Sequence, residues 1–120
     1  MIISKYFVEE EFQKCSPACS LQDMDPMTVE MLDRAREIAG IPFVLTSAYR
    51  SSAWDRHRGR SGTGAHTLGK AVDIRCDSIQ SRFKVVDSLL EAGFNRIGIS
   101  DSFIHADTSK VHSQNVIWLY

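Results

Sequence analysis

The chain of 120 residues has no apolar run long enough to span a bilayer, which excludes a helical membrane protein. It also has almost no surplus charge. Lys and Arg number 14 against 15 Asp and Glu, a formal net charge of −1, so no overall field draws it to nucleic acid or to a charged membrane. Cysteines are few and odd in number: Cys15, Cys19 and Cys76 cannot make a complete disulfide framework. Cys15 and Cys19 are close enough for a local bridge or a metal pair. No second pair follows at structural-zinc spacing, and three reduced thiols are expected. Repeats and low-complexity segments are absent. Residues 1–7 are too short in their apolar part for a secretory signal, which leads us to expect synthesis in a cytoplasm, with release or carriage needed for any action outside.

What remains is an ordinary globular composition, 43% hydrophobic and 24% charged. The length suits a single domain over residues 1–120, with residues 1–24 as an N-terminal arm packed on it. The arm reads as irregular, with one helical turn near Glu9–Phe12. Asp25-Pro26 opens a helix, Asp25 as cap and Pro26 at the first helical position. Met31, Leu32, Ala35, Ile38 and Ala39 give its apolar stripe, and Gly40 followed by Pro42 ends it. Residues 43–47 read as a buried strand, and residues 48–64, rich in Arg, Ser and Gly, as a long functional loop. A second strand covers residues 71–75, with Val72 and Ile74 on one face and Ala71, Asp73 and Arg75 on the other. Ser78 caps a second helix with a stripe of Ile79, Phe83, Val86, Leu89 and Leu90, closed by Gly93. Three further strands cover residues 96–99, 103–107 and 116–120, the first two joined by a turn at Ser100-Asp101-Ser102. The fold class is α+β, with helices packed on one antiparallel sheet.

Two residues break this apolar pattern. Asp73 lies between Val72 and Ile74, and His105 between Ile104 and Ala106. A carboxylate or imidazole at such a position is costly to bury unless paired or bound to a cation. His66 precedes Asp73 by seven residues, and Gly69 lets the chain turn between them. Two imidazoles and one carboxylate can bind one zinc ion and leave the fourth tetrahedral position to water, as in catalytic sites. Asp107, two residues after His105, points to the same strand face.

The surrounding residues resemble a known family. Thr46-Ser47-Ala48-Tyr49-Arg50-Ser51 resembles the Ser-Gly-Tyr-Arg-Ser segment of the zinc D-alanyl-D-alanine peptidases, with Ala48 in place of Gly. Gly64-Ala65-His66-Thr67-Leu68-Gly69-Lys70-Ala71-Val72-Asp73-Ile74 matches their Ser-x-His-x-x-Gly-x-Ala-x-Asp-Ile motif except at its first position. Phe103-Ile104-His105-Ala106-Asp107 matches their late His-x-Asp. The resemblance runs from residue 12 to residue 108 and is closest to short, single-domain members from phages and prophages. The group includes carboxypeptidases, vancomycin-resistance dipeptidases, phage endolysin peptidases and the hedgehog signalling domain.

The resemblance implies a hedgehog/DD-peptidase-like fold. It also implies Zn2+ held by His66, Asp73 and His105, with Arg50 facing the zinc to hold a substrate carboxylate or the developing oxyanion. It implies a peptidoglycan peptide as substrate, cut by a carboxypeptidase or endolysin-type endopeptidase, and a monomer acting on the cell wall after release or as a virion component. The usual acid three residues before the last His is Ser102 here. Asp101 is the nearest carboxylate and the expected general base. Asp107 is the other candidate, or else a group that orients a ligand. The basic residues Arg50, Arg56, His57, Arg58 and Arg60 do not amount to a nucleic-acid surface without an aromatic ladder beyond Trp54. A thiol protease built on Cys76 and His66 lacks an activating elbow or helix N-terminus. His57 and His112 are expected on the surface. The rival from another class is a non-catalytic zinc domain that binds cell wall or a protein partner, and the substitution at Ser102 is what supports it.

Overall fold

Five strands and three α-helices build the chain in the computed structural model, which describes residues 1–13 and 19–120. Helix α1 covers Pro26–Ala39, α2 Ser52–His57 and α3 Ile79–Glu91. Strand β1 covers Leu45–Ser47, β2 Ala71–Arg75, β3 Arg96–Ile99, β4 Phe103–Asp107 and β5 Val116–Leu119. Single 3-10 turns cover Glu9–Phe12, Leu21–Asp23 and Ala65–Leu68. Among the described residues no helix is long and apolar enough to cross a membrane.

The helix starts follow local chemistry. Asp25 caps α1, its carboxylate accepting from the Thr28 N–H at 3.0 Å, and Pro26 takes the first turn. Gly40 ends the helix in the left-handed conformation. Ser78 caps α3 by accepting from the Ser81 N–H. The buried faces differ from the expected stripes. In α1 the buried side chains are Thr28, Val29, Leu32 and Ala35, while Ile38 is exposed. In α3 they are Val85, Ser88 and Leu89, while Ile79 and Phe83 are 73% and 72% exposed. The two helices pack on each other as well as on the sheet, so small residues such as Ala35 and Ser88 go inward where close approach counts. The Ser88 hydroxyl is satisfied by the Val85 carbonyl, which makes a polar residue acceptable there.

The sheet order is β1-β2-β4-β3-β5. β1–β2, β2–β4 and β4–β3 pair antiparallel, and β5 pairs parallel to β3, so the sheet is mostly rather than wholly antiparallel. The reason is geometric. β4 ends at Asp107 beside Arg96, where β3 begins, and a short connection at that end starts β5 opposite Arg96. Residues 48–64, expected as loop throughout, contain α2, which is too short to carry an apolar stripe and starts at a Ser51 cap.

The alternation of side chains along the sheet creates two environments. Val72, Ile74, Ile97, Ile104 and Ala106 are fully buried in the main core, with Leu32, Val85 and Leu89 of the helices. Asp73, Arg96, Gly98, His105, Asp107 and Trp118 occupy the alternate positions, matched across the strands: Asp73 opposite His105, Gly98 opposite both His105 and Trp118. The polar residues of the sequence thus share one face. The segment leading into β2 is fixed by Gly69, with φ +71°, whose carbonyl accepts from the Asp25 N–H at 2.8 Å.

A Cβ at residue 69 would lie 2.3 Å from the Asp23 carbonyl oxygen. Gly69→Ala therefore meets both a left-handed backbone and a clash with immovable main chain. It should destabilise the fold by about 1–3 kcal/mol or more, read from the denaturant midpoint at unchanged m-value. A wild-type midpoint would show that this turn can open at no cost.

Candidate metal centre

Three segments meet over the polar face of the sheet. The first is the stretch after β1. Its Ala48 carbonyl accepts from His66 Nδ1 at 2.6 Å, and its Arg50 N–H donates to the His66 carbonyl at 3.1 Å. The Ser47–Arg50 motif thus clamps the His66 turn on both main chain and side chain. A carbonyl only accepts, so His66 Nδ1 carries the hydrogen and Nε2 presents its lone pair. That nitrogen lies 3.4 Å from Asp73 Oδ1.

His105 is oriented in the same manner from the other side. Its Nε2 is 2.6 Å from Asp107 Oδ2, and its Nδ1 is 3.0 Å from Asp73 Oδ1. Asp107 is fully buried and multiply held: Arg96 Nε donates to Oδ1 at 2.7 Å, and the Ser109 N–H donates to the same oxygen at 3.1 Å. This is the carboxylate–histidine arrangement that fixes a ligand ring and raises its basicity.

His66, Asp73 and His105 each offer one donor atom, and the three atoms lie within 4.8 Å of one another. Tetrahedral zinc with N and O ligands places those atoms about 3.4 Å apart. The distances from Asp73 Oδ1 to His105 Nδ1, 3.0 Å, and to His66 Nε2, 3.4 Å, lie a little below and at that spacing. Both rings also have their outward nitrogens on acceptors, so the donor set fits a metal ion.

Charge follows the geometry. Burial pushes the Asp73 carboxyl up, but the His105 and His66 rings beside it outweigh this and hold the group well below the usual carboxylate range. Burial pushes His105 down, and the hydrogen bonds to Asp107 and Asp73 reverse this, raising it above the ordinary histidine value. Asp107 is lowered against its burial, chiefly by His105, with smaller help from Ser109 and Arg96.

These three residues line an open cleft of about 350 Å³, with Arg50, Arg60, Arg96, Phe103, His112, Trp118 and Tyr120 also at its walls. Arg50 is held by Asp55, 3.4 Å from its Nε, and by Ser47. Asp55 is 3% exposed and also accepts from the Gly62 N–H, so it ties the basic segment together from inside. Trp118 lies tilted beside His105, with centroids 5.3 Å apart, over Gly98, where a Cβ would sit 2.7 Å from the indole.

Asp101 is not brought into the site. It is exposed on the β3–β4 turn, outside the cleft walls, with its carbonyl accepting from Arg82. Asp107 does line the cleft, but it is engaged by His105, Arg96 and Ser109. Cys76 is buried beside Ser81 and lies outside the cleft, so it forms no pair with His66. Cys19 is buried with Sγ 3.4 Å from the Tyr49 carbonyl, while Cys15 lies outside the described residues. His57 is exposed as expected, but His112 is half-buried at the cleft wall. Sequence reading missed His112, Asp55, Trp118 and Tyr120 as site residues. For the two aromatics a signal existed in the strand alternation of residues 116–120, which places both on the face of Asp73 and His105.

The comparison with family models matches residues 5–107 to Peptidase M15. The chain belongs to the Peptidase M15 family. The match contains the whole donor trio and ends at Asp107; the aromatic wall and His112 lie beyond it. No curated protein matches the chain. For this M15 chain the family gives a peptidase, and the donor set described above could hold its metal.

Metal analysis should find about one zinc per chain, and His66→Ala or His105→Ala should lose it. Asp107→Asn, which leaves the three donors in place, should weaken zinc affinity about 10–100-fold. Unchanged affinity in that variant would remove Asp107 from the support of His105.

The metal-free protein carries a pH signature of its own. His105 is raised in the fold, so its share of stability is full below its unfolded value near 6.5 and fades as pH rises through the higher folded value. Asp73 is lowered, so its share is full above its unfolded value near 3.8 and fades as pH falls toward the lower folded one. Denaturant midpoints of chelated protein should therefore be highest between about pH 4 and 6.5. A midpoint that climbs steadily from pH 6 to pH 8 would contradict the His105–Asp73–Asp107 arrangement.

Proposed function

We propose that the protein is a zinc-dependent peptidase that hydrolyses stem peptides of peptidoglycan, as a D-alanyl-D-alanine carboxypeptidase or an endolysin-type endopeptidase. The observation that carries this reading is the placement of the donor trio on the floor of an open cleft with arginine at its walls. A structural zinc site would be closed; here the surrounding space can admit a peptide. The peptidoglycan class comes from the resemblance of the three motifs to the zinc D-alanyl-D-alanine peptidases. The protein would meet its substrate as a monomer, released from the cell that makes it or carried in a virion.

Zinc bound by His66, Asp73 and His105 would polarise the scissile carbonyl and lower the pKa of an attacking water toward ~7. The chain's own residues supply the rest. Arg50 lines the cleft and receives a substrate carboxylate or the carbonyl oxygen as it gains charge. Asp55 and Ser47 fix the angle of that guanidinium. Asp107 and the Ala48 carbonyl keep the two histidines turned toward Asp73. Trp118 and Tyr120 form an aromatic wall against which a substrate chain can lie.

One observation favours a second reading, a zinc domain that binds cell wall or a protein partner without cutting. Among the described residues, the only carboxylates at the cleft walls are Asp73 and Asp107, and both are engaged by histidines.

Purified muropeptides incubated with the zinc-loaded protein, with and without chelator, decide between them when products are read by mass spectrometry. A chelator-sensitive mass loss of one residue, or a cut within the stem, identifies the peptidase and its bond. Binding without product identifies the second reading. Arg50→Lys should lower kcat/KM by about tenfold or more, the loss expected for a charge-assisted hydrogen bond, with little change in Tm. A wild-type rate in that variant would place Arg50 outside the chemistry.

A further inference from the structure

His112 belongs to none of the roles given so far. It sits between β4 and β5 and shares the cleft with the donor trio. Its Nδ1 lies 2.7 Å from Ser109 Oγ. Ser109 is fully buried and fastened through its N–H to Asp107. Gln114 donates to the carbonyls of Ser109 at 2.7 Å and His112 at 2.9 Å, which pins the segment. The ring is thus positioned by built contacts, and with Nδ1 taken by Ser109, Nε2 is the nitrogen left for the cleft.

The partner of each ring separates His112 from the other two. His66 rests on a carbonyl and His105 on a carboxylate, acceptors that hold one hydrogen in place. A serine hydroxyl both donates and accepts, so it can follow His112 through its neutral and protonated forms. Besides the donor histidines His66 and His105, the charged and titratable groups that share the cleft with His112 are Arg50, Arg60, Asp73, Arg96, Asp107 and Tyr120. The arginines stay charged at any working pH. Both carboxylates are bound to histidines, and the Tyr120 hydroxyl is pushed up, first by burial, and keeps its proton. Histidine is the side chain suited to give and take a proton near neutrality.

We propose that His112 carries the proton during peptide hydrolysis in this cleft. Its Nε2 takes one hydrogen from the attacking water as the new C–O bond forms at the scissile carbonyl carbon. It returns that hydrogen to the leaving nitrogen as the C–N bond breaks. The water oxygen ends in the new carboxyl group, the transferred hydrogen on the new amine, and the ring is regenerated. The inference rests on the peptidase reading above and answers the lack, among the described residues, of an uncommitted carboxylate at the cleft walls.

The experiment uses zinc-loaded wild type, His112→Gln, His112→Ala and Ser109→Ala. Four quantities are measured: zinc content, Tm, kcat on muropeptides, and Kd for an uncleavable peptide of the same length. The His112 variants should keep about one zinc and the wild-type Kd while kcat falls roughly 10²–10⁴-fold. Added imidazole should restore part of the rate to His112→Ala, in proportion to the imidazole present as free base. Ser109→Ala, which removes the ring's anchor and keeps the ring, should lose less than either. If wild type turns nothing over, the peptidase reading fails. If wild type is active and His112→Gln keeps its rate with zinc bound, the proton-carrier role fails while the peptidase stands. Should the His112 variants lose zinc or fold, a wild-type kcat in Ser109→Ala overturns the proposal, and a lowered kcat with zinc and Kd intact supports it.

Discussion

A carboxylate in the middle of a short strand is the constraint around which this protein is arranged. Asp73 sits between Val72 and Ile74, both fully buried. Leaving it unpaired there would cost several kcal/mol, so two imidazoles are brought to it from opposite directions. Each imidazole must then be prevented from turning away, which requires the Ala48 carbonyl on one side and Asp107 on the other. Asp107 is itself a buried charge and draws in Arg96 and the Ser109 N–H. From one awkward residue, a chain of obligations extends through β1, β2, β3, β4 and the segment before β5.

The same chain links the site to the fold's two layers. Helices α1 and α3 cover the apolar face of the sheet, and the opposite face carries the polar constellation under the segment from Ala48 to Lys70, which includes α2. The Ser47–Arg50 stretch matters to both, since it holds the His66 turn by main chain and places a guanidinium in the cleft. Asp55 does the equivalent work for the basic segment, and its burial explains how so many arginines can gather there without splaying apart.

Much of this was legible in the residues. Period-two alternation set Asp73 on the face opposite Val72 and Ile74 and put His105 and Asp107 on one face of their own strand, and caps at Asp25 and Ser78 with stops at Gly40 and Gly93 bounded the helices. What could not be read was anything decided by docking. The inward faces of α1 and α3 shifted because the helices meet each other, and β5 turned out parallel because β4 delivers the chain to the start of β3. Asp101 looked near in sequence to His105, yet the hairpin turn carries it out to the solvent side. His112 lies farther along the chain and comes back, because Ser109 and Gln114 fold its segment over Asp107. Nearness along the chain misled where a turn intervened. Strand parity did not.

The pairing of β2 with β4 sets Asp73 opposite His105 and Ile74 opposite Ile104. A slip of one residue would turn Ile104 and Ala106 into the cleft and drive His105 and Asp107 into the apolar layer under the helices. Two ionisable groups would then be stranded among Leu89, Val85 and Ile97, with Arg96 left behind on the other face. The residues that make the site useful are thus also a proofreading device for the sheet: a misaligned β4 meets a penalty that no rearrangement of hydrophobic side chains could offset.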